Sequence, residues 1–152
     1  MAKSVWALDL LWARADETAE PFELGDVVQV KTLFFNQRDF PLRGYDDGHP
    51  QLIGHRVNKG TLEWRIPVWD VDYHATRIPI GLNRVSLHWF YEGGSAYDSG
   101  EDNPYYTSTG LEWHLELKLL YALSVPVRIG YAQGLDDLLG KKKSYITMGF
   151  VF

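Results

Sequence analysis

The chain contains no cysteine. No disulfide braces it and no thiolate is on hand as nucleophile or metal ligand, so packing, hydrogen bonds and charge must hold the fold. Surface and periplasmic proteins can do without disulfides, so the absence fixes no compartment. A run of about 18 apolar residues is missing too, which excludes a transmembrane helix of ordinary length. Positive charge is in deficit: 15 Lys and Arg stand against 20 Asp and Glu, a formal net charge of -5. Nucleic acid is therefore not an expected partner. Nor does Met1-Ala2-Lys3-Ser4 open a secretory signal, because a strand pattern follows at once. Export would need such a signal, so the sequence is expected to be a mature form or the terminal piece of a longer protein.

Aromatic residues, by contrast, are plentiful at 14%, with six Trp and nine Tyr. Such side chains are favoured where apolar and aqueous phases meet. Their placement follows a period of two. Leu111, Trp113, Leu115, Leu117 and Leu119 alternate with Glu112, His114, Glu116 and Lys118. That periodicity predicts a strand with two unlike faces. Leu123, Val125, Val127, Ile129 and Tyr131 form a second stripe, opposite Ser124, Pro126, Arg128, Gly130 and Ala132. Ile146, Met148, Phe150 and Phe152 form a third. Upstream, Trp6, Leu8, Leu10 and Trp12 make one outward set, Leu62, Trp64, Ile66 and Val68 another, and Val85, Leu87, Trp89 and Tyr91 another.

A soluble sandwich also alternates, so the character of each face decides. The apolar faces are bulky and unbroken, while the opposite faces mix ionised and small residues. Charge toward a lumen and apolar groups toward lipid is the pattern of an outer-membrane β-barrel. The expected fold is thus all-β, a single domain over residues 1–152, forming an antiparallel up-and-down transmembrane barrel. Eight strands leave about 19 residues for each strand and its connector, which suffices for spans of about 10. The stretch 27–45 must then hold two of them. Ala15 to Asp26, Asn36 to Gly60, Val71 to Gly81, Gly93 to Thr107 and Gly134 to Ser144 are expected as connectors.

Inside such a barrel would point Asp9, Gln29, Lys31, Glu63, Arg65, His88, Glu92, Glu112, His114, Glu116, Lys118 and Arg128. Eight strands enclose a space that side chains can fill. Near-equal acids and bases predict a paired network rather than an open channel. The two mid-strand histidines lack a nucleophile motif, so no catalytic residue, metal site or cofactor is expected. Lys141 to Lys143 could meet lipopolysaccharide phosphates, but a solvated run is the plainer expectation. Asp46, Asp47, Asp98, Glu101 and Asp102 show no metal-ligand spacing.

Phe40-Pro41-Leu42-Arg43-Gly44-Tyr45 resembles the Arg-Gly-Phe/Tyr loop motif of the BamA/TamA-type outer-membrane assembly superfamily, the bacterial surface antigen family. Further similarities follow in that family's order. They are Leu62-Glu63-Trp64-Arg65-Ile66-Pro67-Val68, Phe90-Tyr91-Glu92-Gly93-Gly94 with Glu92 where Asp is usual, Thr109 to Trp113, Pro126 to Ala132, and Gly149 to Phe152. The resemblance covers residues 40–152, the barrel end of such proteins. It implies a loop folded back into the lumen, with Arg43 of the Arg43-Gly44-Tyr45 motif meeting Glu92. It also implies a Gram-negative outer membrane as location. The family's assembly-active members carry periplasmic repeats and sixteen strands, for which this chain has no room.

The functional expectation is a membrane-embedded structural or anchoring module with a charged, filled lumen, and not an enzyme. Its expected partners are outer-membrane lipid, phospholipid or lipopolysaccharide, and periplasmic domains of a longer parent chain. A monomer is expected. The rival expectations are a lipid-modifying enzyme, a pore or insertase-derived fragment, and a soluble lipocalin-like barrel with its apolar faces turned inward.

Overall fold

A computed structural model describes residues 3–25, 38–74, 80–100, 103–119 and 123–149. The chain is all-β. In order it forms β1 (Val5–Arg14), β2 (Phe22–Gly25), β3 (Asp39–Pro41), β4 (Ile53–Gly54), β5 (Arg56–His74), β6 (Ile80–Tyr97), β7 (Tyr106–Leu119), β8 (Leu123–Gly134) and β9 (Lys142–Met148). One 3-10 turn, Pro50–Leu52, precedes β4.

The main sheet is six-stranded and antiparallel throughout, in the order β1-β5-β6-β7-β8-β9. From β5 onward it is a meander of sequential neighbours, the simplest topology for alternating sequences. Between β1 and β5 the described residues build a separate three-stranded sheet, β3-β2-β4. This small sheet lies over one face of the large one, called here the inner face. Phe22, Leu24, Leu42, Tyr45 and Leu52 come from the 15–55 segment and pack on Val57, Ala96 and Tyr106 of the main strands.

The phase of each strand agrees with its alternation. On β6 the side chains of Phe90 and Glu92 are buried on the inner face while Tyr91 is exposed on the outer. Across the outer face the register aligns Trp6, Trp64, Trp89, Leu111 and Tyr131 in one transverse row. Ile66, Leu87, Trp113, Ile129 and Ile146 form the next. Trp6 stacks on Trp64 with ring centroids 5.6 Å apart.

Three sequence expectations change. Among the described residues the main sheet holds six strands where eight were expected, and β1 and β9 are not joined, so the described sheet is not closed. Of the stretch 27–45, residues 27–37 lie outside the described residues, and 38–45 supply only β3 and a turn. The expected connectors are also shorter than anticipated. β5 runs from Arg56 to His74 and β6 from Ile80 to Tyr97, so both reach into stretches assigned to loops. Gly60, Gly93 and Gly94 interrupt the alternation there, and Val57 and Ala96 turn apolar groups inward because the small sheet covers them.

The 15–55 segment is fastened at its exit. The His55 backbone N–H donates to Asp98 Oδ1 at 2.8 Å, and His55 Nδ1 lies 2.6 Å from the same oxygen. The ring hydrogen bond to Asp98 holds the His55 pKa above its ordinary value. The backbone N–H and then the ring of His55 hold Asp98 below the usual carboxylate range. A raised His contributes fully below its unfolded pKa of about 6.5 and loses the contribution as pH rises through the raised value. A depressed Asp contributes fully above about 3.9 and loses it as pH falls through the depressed value. The fastening is therefore complete between about pH 4 and pH 6.5. Hydrogen exchange at residues 53–58 checks this: the native chain should be more protected than His55→Gln at pH 6, and the difference should vanish at alkaline pH.

Candidate functional site: a buried ionic cluster under the Arg43 loop

The cluster begins with a turn. Gly44 has φ of 88°, a region closed to most side chains, and the backbone around Gly134 presses against it. Its carbonyl accepts from the Lys141 N–H at 2.9 Å. Tyr45 is fully buried beside Tyr106 and donates its hydroxyl to the Thr107 carbonyl at 2.6 Å. These contacts clamp the loop on both sides of Arg43 and drive that residue onto the inner face.

Arg43 then meets two carboxylates. Its backbone N–H donates to Glu92 Oε1 at 2.5 Å. Nε and Nη2 donate to Glu92 Oε2 at 3.1 and 2.8 Å. Nη1 donates to Glu112 Oε1 at 2.8 Å. The guanidinium carbon sits 3.5 Å from the Phe90 ring centroid, so a π face covers the cation. Glu92 is wholly buried and takes further support from Ser108 Oγ and from Lys59 Nζ, 3.6 Å away. Glu112, also buried, accepts from the Tyr145 hydroxyl and lies 2.7 Å from His114 Nε2. Glu63 approaches Arg43 Nη2 at 3.6 Å and is held by Arg65 on the same strand at 2.8 Å.

Sheet geometry supplies the sockets. A Cβ at Gly110 would fall 2.6 Å from the Phe90 ring, and one at Gly130 would collide with the Tyr145 ring. Glycines on the inner faces of β7 and β8 thus admit the aromatics that wall the cluster. Loop groups are paired as well. Asp46 lies between Lys141 and Lys143, whose hydrogen bonds hold its pKa below the usual range.

The residues singled out from sequence divide into groups. Arg43, Gly44, Tyr45, Glu63, Arg65, His88, Glu92, Glu112 and His114 are brought together. Arg128 lines the adjoining cavity of about 480 Å³, together with Asp9, Lys59 and Thr147. Glu116 and Lys118 lie further along the inner face of β7, with Glu116 opposite Arg84. Gln29, Lys31, Glu101 and Asp102 lie outside the described residues. Lys59, Ser108 and Tyr145 were missed. Lys59 keeps step with Thr61 and Glu63, but Gly60 masked the start of the strand. Tyr145 left no signal in the sequence; only the fold sets it opposite Gly130.

Near the cluster His88 and His114 stack at 3.6 Å, and Ser86 Oγ lies 3.0 Å from His88 Nε2. A hydroxyl beside an imidazole is the start of a nucleophile, but activation needs a carboxylate on the other ring nitrogen. His88 Nδ1 is buried without a hydrogen-bond partner, and Glu63 Oε2 stands off at 3.9 Å. Among the described residues no group of three or more metal-ligand side chains is arranged to hold an ion. No family model, curated protein or solved structure matches the chain. Chemically the cluster is a saturated ionic clamp.

Cutting one arm should leave a buried charge without its partner. Glu92→Gln should cost about 3–5 kcal/mol, read as a fall in the urea midpoint. Arg43→Lys keeps the charge but loses the fork, for a loss of about 1.5–3 kcal/mol. Arg65→Ala, at a half-exposed pair, should change stability by about 1 kcal/mol or less.

Proposed function

We propose that the chain forms the wall of an outer-membrane β-barrel related to the barrel end of the BamA/TamA superfamily, and serves as a membrane-embedded structural anchor. The inversion of burial carries this reading. Glu92 and Glu112 are 0% and 3% exposed and Arg43 is 9%, whereas Leu8, Leu10 and Trp12 are 67%, 76% and 73% exposed. A water-soluble fold buries the second set and exposes the first. A barrel wall in lipid does the reverse.

The change of polarity is confined to a level. Toward the small sheet, Ala13, Val57, Ala96 and Tyr106 face inward and Arg14, Arg56 and Asn58 outward, as in an ordinary protein in water. Beyond Lys59 and Gly60 both faces switch together. The inner positions become Lys59, Glu63, Glu92 and Glu112, and the outer become Leu62, Trp64, Tyr91 and Leu111. Trp12 and exposed Tyr105 stand near this crossing, where interfacial aromatics belong. From Leu111 to Leu119 the outer stripe covers about 26 Å of strand, or roughly 20 Å of height at a tilt of about 40°. The apolar band of such barrels is about 25 Å tall. No described helix is long and apolar enough to cross a membrane.

The Arg43-Gly44-Tyr45 turn clasped by Glu92 supports the superfamily relation, since that contact joins the two motifs carrying the resemblance. In this reading the clamp holds the loop inside the lumen and its role is stability. The paired charges fill the lumen instead of lining a pore. Lipid is the partner of the outer face. The proposed location is the Gram-negative outer membrane.

Refolding from urea into detergent micelles tests the reading. The expected result is β-rich circular dichroism, a faster gel band in unboiled than in boiled samples, and aggregation in plain buffer. A monodisperse β-protein in plain buffer would overturn it. The rival enzyme would label at Ser86 with a fluorophosphonate; no labelling is expected, because the His88 ring lacks its carboxylate.

A further inference from the structure

Resting on the membrane reading, we infer that a pocket at the rim of the wall holds the headgroup of a phosphoethanolamine lipid, its phosphate on Arg14 and Arg56 and its ammonium on Asp16 and Glu17. The pocket has a volume of about 470 Å³ and lies where β1 ends and β5 begins. Its lining joins both arginines and both carboxylates to His55 and Ser99.

The sheet sets the two arginines side by side. Arg14 and Arg56 are direct cross-strand partners, and the alternation turns both to the outer face, beyond the Trp12–Asn58 pair. Like charges placed directly opposite one another repel. Arg56 Nη2 donates to Ser99 Oγ at 3.2 Å, a neutral group that cancels neither charge. A phosphate between the two guanidiniums would accept from both and turn the repulsion into a binding site. Asp16 and Glu17 follow β1 in a turn closed by the Ala19 N–H on the Asp16 carbonyl. They line the same pocket, yet among the described residues no ion pair joins either to Arg14 or Arg56. His55 forms a wall and not a further ligand, because Asp98 and the Ala19 carbonyl already engage its ring nitrogens. Two cations and two carboxylates held apart around one pocket suit a ligand that carries both signs. A phosphate alone would face the carboxylates, and an amine alone would face the arginines.

Height selects a lipid as the bearer of that group. From Trp12 to Arg14 the strand advances about 7 Å, or about 5 Å of height at a tilt of about 40°. The headgroup layer extends about 5–7 Å beyond each edge of the hydrocarbon. With Trp12 at the crossing, the two guanidiniums therefore stand at the level of lipid phosphates. Below them on the same face run Trp12, Leu10 and Leu8, all exposed. A lipid seated by its headgroup in the pocket would lay its acyl chains along that stripe.

The test titrates the chain, refolded in nonionic micelles, with phosphatidylethanolamine, phosphatidylcholine or phosphatidylglycerol of the same acyl chains, and counts retained lipid by native mass spectrometry. The expected result is a single retained phosphatidylethanolamine, held about tenfold more tightly than the other two. The methylated ammonium of phosphatidylcholine cannot donate a hydrogen bond, and phosphatidylglycerol has no ammonium. Arg14→Gln with Arg56→Gln should weaken phosphatidylethanolamine by about tenfold or more. Asp16→Asn with Glu17→Gln should weaken phosphatidylethanolamine but strengthen phosphatidylglycerol, reversing the preference. Equal retention of the three lipids, or an unchanged preference in both variants, overturns the proposal. Displacement by free phosphoethanolamine at the same concentration overturns the lipid as its source. Any of these with the unboiled gel shift intact sinks the headgroup site alone. Loss of the shift in the unsubstituted chain sinks the membrane reading and the site with it.

Discussion

A guanidinium and two carboxylates can leave water together only if nearly every donor and acceptor among them is matched. Arg43 meets that condition. Its main-chain and side-chain N–H groups reach Glu92, a further one reaches Glu112, and an aromatic face covers the ion. Much else in the fold depends on this arrangement. The loop must turn at Gly44 to deliver the arginine. Glu92 and Glu112 must lie on the inner faces of neighbouring strands. Gly110 and Gly130 must yield space for the rings that seal the cluster. A buried pair is poor evidence of net stability, but it is strict about geometry: any other docking of the loop would strand at least two buried carboxylates.

The inversion of polarity along β5 and β6 explains how one chain carries two opposite cores. At one end apolar side chains meet beneath the small sheet. Farther along the same strands, on the same face, the packing is ionic. Glycine and tyrosine mediate the change: Gly94 lets Leu24 approach, and Tyr45 turns its ring to the apolar side and its hydroxyl to a backbone carbonyl. The outer face changes sign at the same height.

The period-two stripes were legible because nothing else competes for them: Leu111 to Leu119 reads as a two-faced strand by side-chain character alone. The phase of Glu63, Glu92 and Glu112 followed from the same alternation. Strand ends were not legible. Glycines at 60, 93 and 94 and apolar inward residues at 57 and 96 break the pattern, because the cover over those positions comes from a distant part of the chain. The meeting of Arg43 with Glu92, across 49 residues of sequence, has no local signal. It entered through a motif resemblance. Lys59 and Tyr145 carried no motif and emerged only with the fold.

The clamp also fixes where the loop can lie. The Arg43 backbone is tied to Glu92 of β6 and the Gly44 carbonyl to Lys141, just ahead of β9, so the turn is held from two sides. Removing the loop would leave Glu92 and Glu112 without their shared cation. Keeping it satisfies both carboxylates in one register only, because the backbone around Gly134 leaves no room for a side chain at Gly44.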